Sequence, residues 1–151
     1  MTRSKIIIAL KRYFKIQELV CPHVFAKHGE ISWMFLSTLY LHTLLVLRTK
    51  ILKVPLVCNT KMLTQRGLRC NLCDIVKEKT EDEIVYLSAH HLGIGGDLSS
   101  PEMTAEEMRK KIEEKQDLLP YPVRIELKVN WLHIDCYDDI DNDNKITYFN
   151  P

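Results

Sequence analysis

The chain has no surplus of charge of either sign: 21 Lys and Arg stand against 20 Asp and Glu, a formal net charge of +1. Without a strong field there is little to draw in nucleic acid or an anionic membrane surface, and a nucleic-acid partner is disfavoured. Long apolar runs are also missing. The longest, 33–47, is interrupted by Ser37, Thr38, His42 and Thr43, which leaves it too short and too polar to span a bilayer, a task needing about 20 apolar residues. Near the start, the five apolar residues 6–10 lie between Lys5 and Lys11-Arg12. They are fewer than a signal-peptide core requires, and no small-residue cleavage site follows, so cytoplasmic synthesis without a signal peptide is expected. The cysteines are sparse and odd in number (21, 58, 70, 73 and 136). A secreted disulfide scaffold is dense and even, so reduced thiols are expected. Repeats, low-complexity tracts and an evident linker are absent, and one domain over 1–151 is the expected organisation.

The pattern that is present points to an α+β fold, with helices packed on a small, mainly antiparallel sheet. Residues 12–20 read as a short strand or turn leading into a helix, and 32–48 as a largely buried helix with apolar residues near helical spacing. A brief strand is expected at 53–58, a loop with a short helix near 70–78, and a second strand at 84–87. Three of the five glycines fall within 88–97, which marks a shaped loop. Thr104 with Glu107 three residues on forms a capping box, so a charged helix is expected to about Gln116, its charges forming a solvated face. Strands follow at 123–129, 131–137 and 145–149, with an acidic turn at 138–144.

His90 and Asp97 flank the glycine loop, and His133 lies on a later alternating strand. Two imidazoles and a carboxylate suit zinc, and three protein ligands leave a fourth position open for chemistry. His91 competes with His90 for the ligand role. Asp135, two residues from His133, projects from the same strand face and is either a proton carrier or a partner that orients His133; Glu126 is a second candidate proton carrier. Ser88 lacks a base to make it a nucleophile and reads as a turn or hydrogen-bonding residue beside the site, a candidate for substrate binding. Cys70-x-x-Cys73 with Cys21-Pro-His23 has the ligand types of a structural zinc site, although buried thiols are the simpler reading. Cys136 alternates away from His133 towards the core. Asp139-x-Asp141-x-Asp143 opens like a calcium loop but lacks the glycine and the final glutamate, so turn chemistry explains it better.

Ser88-x-His90-x-x-Gly93-x-Gly95-x-Asp97 resembles the Ser-x-His-x-x-Gly-x-Ala-x-Asp signature of the M15 family of zinc peptidases, with Gly95 in place of Ala. That family comprises D-Ala-D-Ala carboxypeptidases and dipeptidases and phage L-Ala-D-Glu endolysins, and is related in fold to the hedgehog domain. Trp131-Leu-His133-Ile resembles its second ligand segment, and Gln65-Arg-Gly-Leu-Arg69 its Ser-Gly-Tyr-Arg segment. The resemblance implies zinc held by His90, Asp97 and His133, and an arginine facing the substrate, Arg69 with Arg66 as competitor. It also implies a peptidoglycan stem peptide as substrate, and a phage or prophage lysis enzyme reaching the wall after membrane breach. One departure stands out: Asn130 occupies the position, three residues before the last His, where many members carry the general-base Glu. A non-catalytic, zinc-stabilised binding domain of the same fold is the alternative this departure raises.

Overall fold

The apolar segment beyond residue 32 forms the buried helical centre of the protein, but in three pieces. A computed structural model describes residues 1–80, 85–137 and 144–151. Gly29, at φ +53°, ends helix α2 (Pro22–His28) and turns the chain into a 3-10 stretch, Gly29–Phe35. Ser37 then caps helix α3 (Thr38–Val46), its hydroxyl accepting the Tyr40 amide at 3.1 Å. A π turn, Leu47–Ile51, extends α3 until Lys53 takes a left-handed conformation at φ +61°. Nine residues are too few for a stable isolated helix, which needs roughly 12–15, so packing holds α3. Tyr40, Leu41, Leu44 and Leu45 are buried on several sides of it. Helix α1 (Arg3–Leu10) lies against α3, fastened by the Arg3 guanidinium, which donates to Thr38 Oγ1 at 2.8 Å and to the Leu36 carbonyl at 2.8 Å.

The expected strand at 53–58 does not form; only Val57 pairs, with Ser99 in an isolated bridge. Lys53 is left-handed and Pro55 has no amide to donate, so the segment cannot sustain a ladder. Of the expected strand 84–87, residues 85–87 are non-regular and Ile84 lies outside the described residues, as do 138–143 of the acidic turn with the calcium-like motif. The short helix near 70–78 is α4 (Asp74–Thr80), and within 12–20, read as a short strand or turn leading into a helix, residues 16–18 make a 3-10 turn ahead of α2.

Four strands build the sheet: β1 (Gly95–Leu98), β2 (Val123–Glu126), β3 (Leu132–Asp135) and β4 (Ile146–Phe149), in the order β1-β3-β2-β4. β3 is antiparallel to both neighbours, and β4 runs parallel to β2. The mixed α+β class is as expected. The glycine segment differs from expectation, because Gly95–Leu98 is a strand and not a loop. Alternation divides the sheet: Leu98, Val123, Ile125, Leu132 and Ile134 are buried in the helical core, with Cys136 beyond them, while Asp97, Arg124, Glu126, His133 and Asp135 share the other face.

Helix α5 (Ala105–Glu114) starts at the expected capping box, with the Glu107 amide donating to Thr104 Oγ1 at 3.2 Å and the Thr104 amide to Glu107 Oε2 at 2.7 Å. Its charged stretch is not wholly solvated. Arg109 is buried and donates to the carbonyls of Val129 (2.9 Å) and Trp131 (3.0 Å), which fixes the β2–β3 turn around left-handed Lys128 and ends β2 at Glu126. Among the described residues, no single helix is long and apolar enough to cross a membrane.

Candidate metal centre

Direct cross-strand pairing makes half of the centre: Asp97 on β1 is opposite His133 on β3, so their side chains leave the sheet together. His133 Nδ1 lies 2.7 Å from Asp97 Oδ1. His90 arrives from the turn before β1, its Nε2 3.5 Å from the same Asp97 oxygen. The three ligand atoms lie within 4.8 Å of one another, and all three residues are buried. A tetrahedral zinc with ordinary bond lengths separates nitrogen and oxygen ligands by roughly 3.3 Å. The His90 spacing already matches, and the His133 spacing fits after a small rotation of the Asp97 carboxylate. The donor set therefore fits a zinc-like ion.

The hydrogen bonds set the tautomers for that role. His90 Nδ1 is 2.8 Å from the Gly67 carbonyl, which can only accept. The hydrogen is therefore on Nδ1, and the Nε2 lone pair faces the centre. On His133 the arrangement is reversed: Nε2 lies 3.0 Å from Asp135 Oδ2, and Nδ1 faces Asp97. Gly67 is itself placed by buried Asn59, whose Oδ1 accepts from the Arg66 and Gly67 amides at 3.0 and 3.2 Å while its Nδ2 donates to the Val20 carbonyl. A side chain at Gly67 would strike the Leu19 carbonyl, so only glycine lets the loop lie this close. Burial alone would lower the His133 pKa from 6.5, but hydrogen bonds to Asp135 and Asp97, and their charges, hold it up to about 9. Burial alone would raise Asp97; its hydrogen bonds to His133 and His90 pull it well below the usual carboxylate range.

His91 is not part of the group: its Nδ1 bonds Ser88 Oγ at 3.0 Å and its ring packs edge-on against Tyr86. Ser88 is thereby occupied in holding His91, although it lines the pocket. Arg69 is the arginine at the centre. Its Nε donates to the Gln65 carbonyl and its terminal nitrogen lies 3.4 Å from Asp97 Oδ2, whereas Arg66 points to Ser99 and lies over the Trp131 ring.

Of the two roles left open for Asp135, proton carrier or partner that orients His133, its contacts favour the second. It is fully buried, and its oxygens accept from Arg124 twice (3.0 and 3.0 Å), from His133 Nε2 and from the Tyr137 amide at 2.9 Å. Every lone-pair site is used, so Asp135 orients His133. Glu126 is different. It is half-buried and lines the same open pocket of about 520 Å³ as Arg69, His90, Asp97 and His133. Among the described residues, its carboxylate has no hydrogen-bond or ion-pair partner. Asn130 is exposed and does not line this pocket, so a Glu at that position would not serve the centre in this backbone. The sequence reading missed Arg124; its spacing from Glu126 on an alternating strand was the available signal. Its guanidinium lies between the Tyr137 and Phe149 rings, 4.6 and 4.8 Å from their centroids.

A second group, Cys21, His23, Cys70 and Cys73, also brings its ligand atoms within 4.8 Å of one another. Comparison with protein-family models, curated proteins and solved structures finds no match to the chain.

Proposed function

We propose that this chain is a zinc peptidase of the M15 type that hydrolyses peptidoglycan stem peptides, at D-Ala-D-Ala or L-Ala-D-Glu bonds. The observation that carries the reading is the convergence of His90 Nε2, Asp97 Oδ1 and His133 Nδ1 beside an open pocket lined by Glu126, whose carboxylate has no partner among the described residues. The ligand signature that these residues share with the family supports zinc and supplies the substrate class.

When bound, the ion supplies a Lewis acid that polarises a peptide carbonyl and acidifies water. The chain's own groups do the rest. Glu126 takes a proton from the attacking water and delivers it to the departing amine. Arg69, braced by the Gln65 carbonyl and Asp97, offers its guanidinium to the developing oxyanion or to a substrate carboxylate. Asp135 keeps the His133 hydrogen on Nε2, and Arg124 keeps Asp135 charged.

The test is metal content together with hydrolysis of purified stem peptides. Zinc-loaded protein should cleave one of the two bonds, lose that activity to a chelator and regain it with zinc, and His90→Ala should lose both the ion at this centre and the activity. Hydrolysis that survives full metal removal would overturn the reading. Zinc bound at this centre without cleavage of either bond would favour the non-catalytic binding domain.

A further inference from the structure

The two ends of the Cys/His group come from segments about fifty residues apart, and no ligand of the candidate peptidase centre takes part. Cys21 is the residue before α2, and His23 lies in its first turn. Cys70 and Cys73 form a tight turn before α4, with the Cys73 amide donating to the Cys70 carbonyl at 3.1 Å. The measured edges are 3.6 Å from Cys21 Sγ to Cys70 Sγ, 3.7 Å from Cys70 Sγ to His23 Nδ1, and 3.9 Å from Cys73 Sγ to His23 Nδ1.

These edges are close to those a tetrahedral zinc imposes. Bonds of about 2.3 Å to sulfur and 2.0–2.1 Å to nitrogen give sulfur–sulfur edges near 3.8 Å and sulfur–nitrogen edges near 3.6 Å. A disulfide would need about 2.05 Å between sulfurs, and all five cysteines are free. The surroundings match a closed structural site. Cys21 and Cys73 are buried with Val76, and Val24 and Tyr86 pack against them. The Leu72 amide approaches Cys70 Sγ at 3.4 Å, as backbone donors do at a thiolate. His23 is exposed and gives an ion its way in.

We propose that Cys21, His23, Cys70 and Cys73 bind a structural zinc ion that fastens the start of α2 to the loop bearing Gly67 and Arg69. The fastening has a definite mechanical target. Next to it, the Cys21 amide donates to the Leu68 carbonyl at 2.8 Å and the Leu68 amide to the Leu19 carbonyl at 2.9 Å. That short bridge holds Gly67, the acceptor for His90, and Arg69, which reaches Asp97. Four protein ligands leave no open position, so this ion holds structure and does no chemistry.

Cobalt titration of the metal-free full chain decides the matter, since cobalt ligated by thiolates shows a sulfur-to-metal charge-transfer band and cobalt on His and Asp does not. Wild type should show that band and take up two ions per chain. The Cys70→Ser, Cys73→Ser double variant should lose the band and one ion; His90→Ala should lose one ion and keep the band. A wild-type chain saturated with cobalt and lacking the band would overturn the proposal, and that measurement does not depend on the variant folding. So would a band that survives the double cysteine substitution, or fewer than five free thiols in the denatured, unreduced protein. Loss of the His90-dependent ion alone bears on the peptidase reading and not on this one.

Discussion

Glu126→Gln separates the two carboxylates that the sequence left in competition for the proton. The change keeps side-chain length and shape but removes the negative charge and the ability to take a proton. Because the Glu126 carboxylate bonds no ligand or neighbour among the described residues and is half-buried, folding stability should change by no more than about 0.5 kcal/mol, and zinc content should not change. Turnover should fall roughly 10²- to 10⁴-fold, about 3–5 kcal/mol of transition-state stabilisation. Asp135→Asn should behave in the opposite way. It sets an amide N–H among four donors and leaves Arg124, whose side chain is 31% exposed, without its charge partner. The partial exposure of Arg124 holds the stability loss to roughly 2–3 kcal/mol. With His133 no longer oriented, zinc affinity should drop on the order of 10- to 100-fold. The assay is steady-state hydrolysis of a stem peptide at saturating zinc, with zinc dissociation constants and urea midpoints measured in parallel. Full activity in Glu126→Gln, alongside a zinc-replete but inactive Asp135→Asn, would refute the assignment.

Three further outcomes follow from the structure. Gly95→Ala should cost roughly 1–3 kcal/mol in urea unfolding and weaken zinc binding, because the new Cβ would meet the Asp135 Cβ at 2.4 Å; unchanged zinc affinity would mean that Asp135 does not govern His133. Thr104→Ala removes the hydroxyl that accepts from the Glu107 amide and donates to Glu107 Oε2, while the residue-104 amide keeps its bond to Glu107; it should cost about 1 kcal/mol in the same measurement while leaving metal affinity untouched. In the metal-free protein the raised His133 pKa, about 9 against 6.5, contributes stability that is complete below 6.5 and lost as pH rises through 9. Zinc must displace that proton, so its affinity should weaken by about tenfold per unit as pH falls below 9. Calorimetry in buffers of different ionisation enthalpy should count one proton released at this centre, and a pH-independent affinity would contradict the His133 assignment.

The elements legible in the sequence were those whose signals are local. The capping box at Thr104 and Glu107 set the start of α5, and period-two alternation placed β2, β3 and β4 within a few residues. The misses have non-local causes. The strand expected at 53–58 failed on the backbone of Lys53 and on Pro55, and β2 stopped short because Arg109, from another element, captures the turn carbonyls. The glycine segment was read as a loop because close strand approach and loop flexibility both call for glycine, and only the partner strand tells them apart. At the centre, the spacing in Ser88-x-His90 and the face shared by His133 and Asp135 were readable. That Asp135 is saturated, and that Glu126 has no partner among the described residues, was not, because hydrogen-bond occupancy belongs to the packed site.

By itself, the sequence determined the α+β class and the near balance of charge, since composition and period are properties of a chain read in one dimension, while the family resemblance, and not spacing alone, nominated His90, Asp97 and His133 as candidate ligands. The tertiary structure decided what those residues face. Sheet pairing put Asp97 opposite His133, the Gly67 carbonyl selected the His90 tautomer, and Arg124 committed Asp135 to positioning. A contact between Cys21 and Cys70 likewise spans 49 residues of chain, and only folding brings such a pair to the distance at which one ion can hold both.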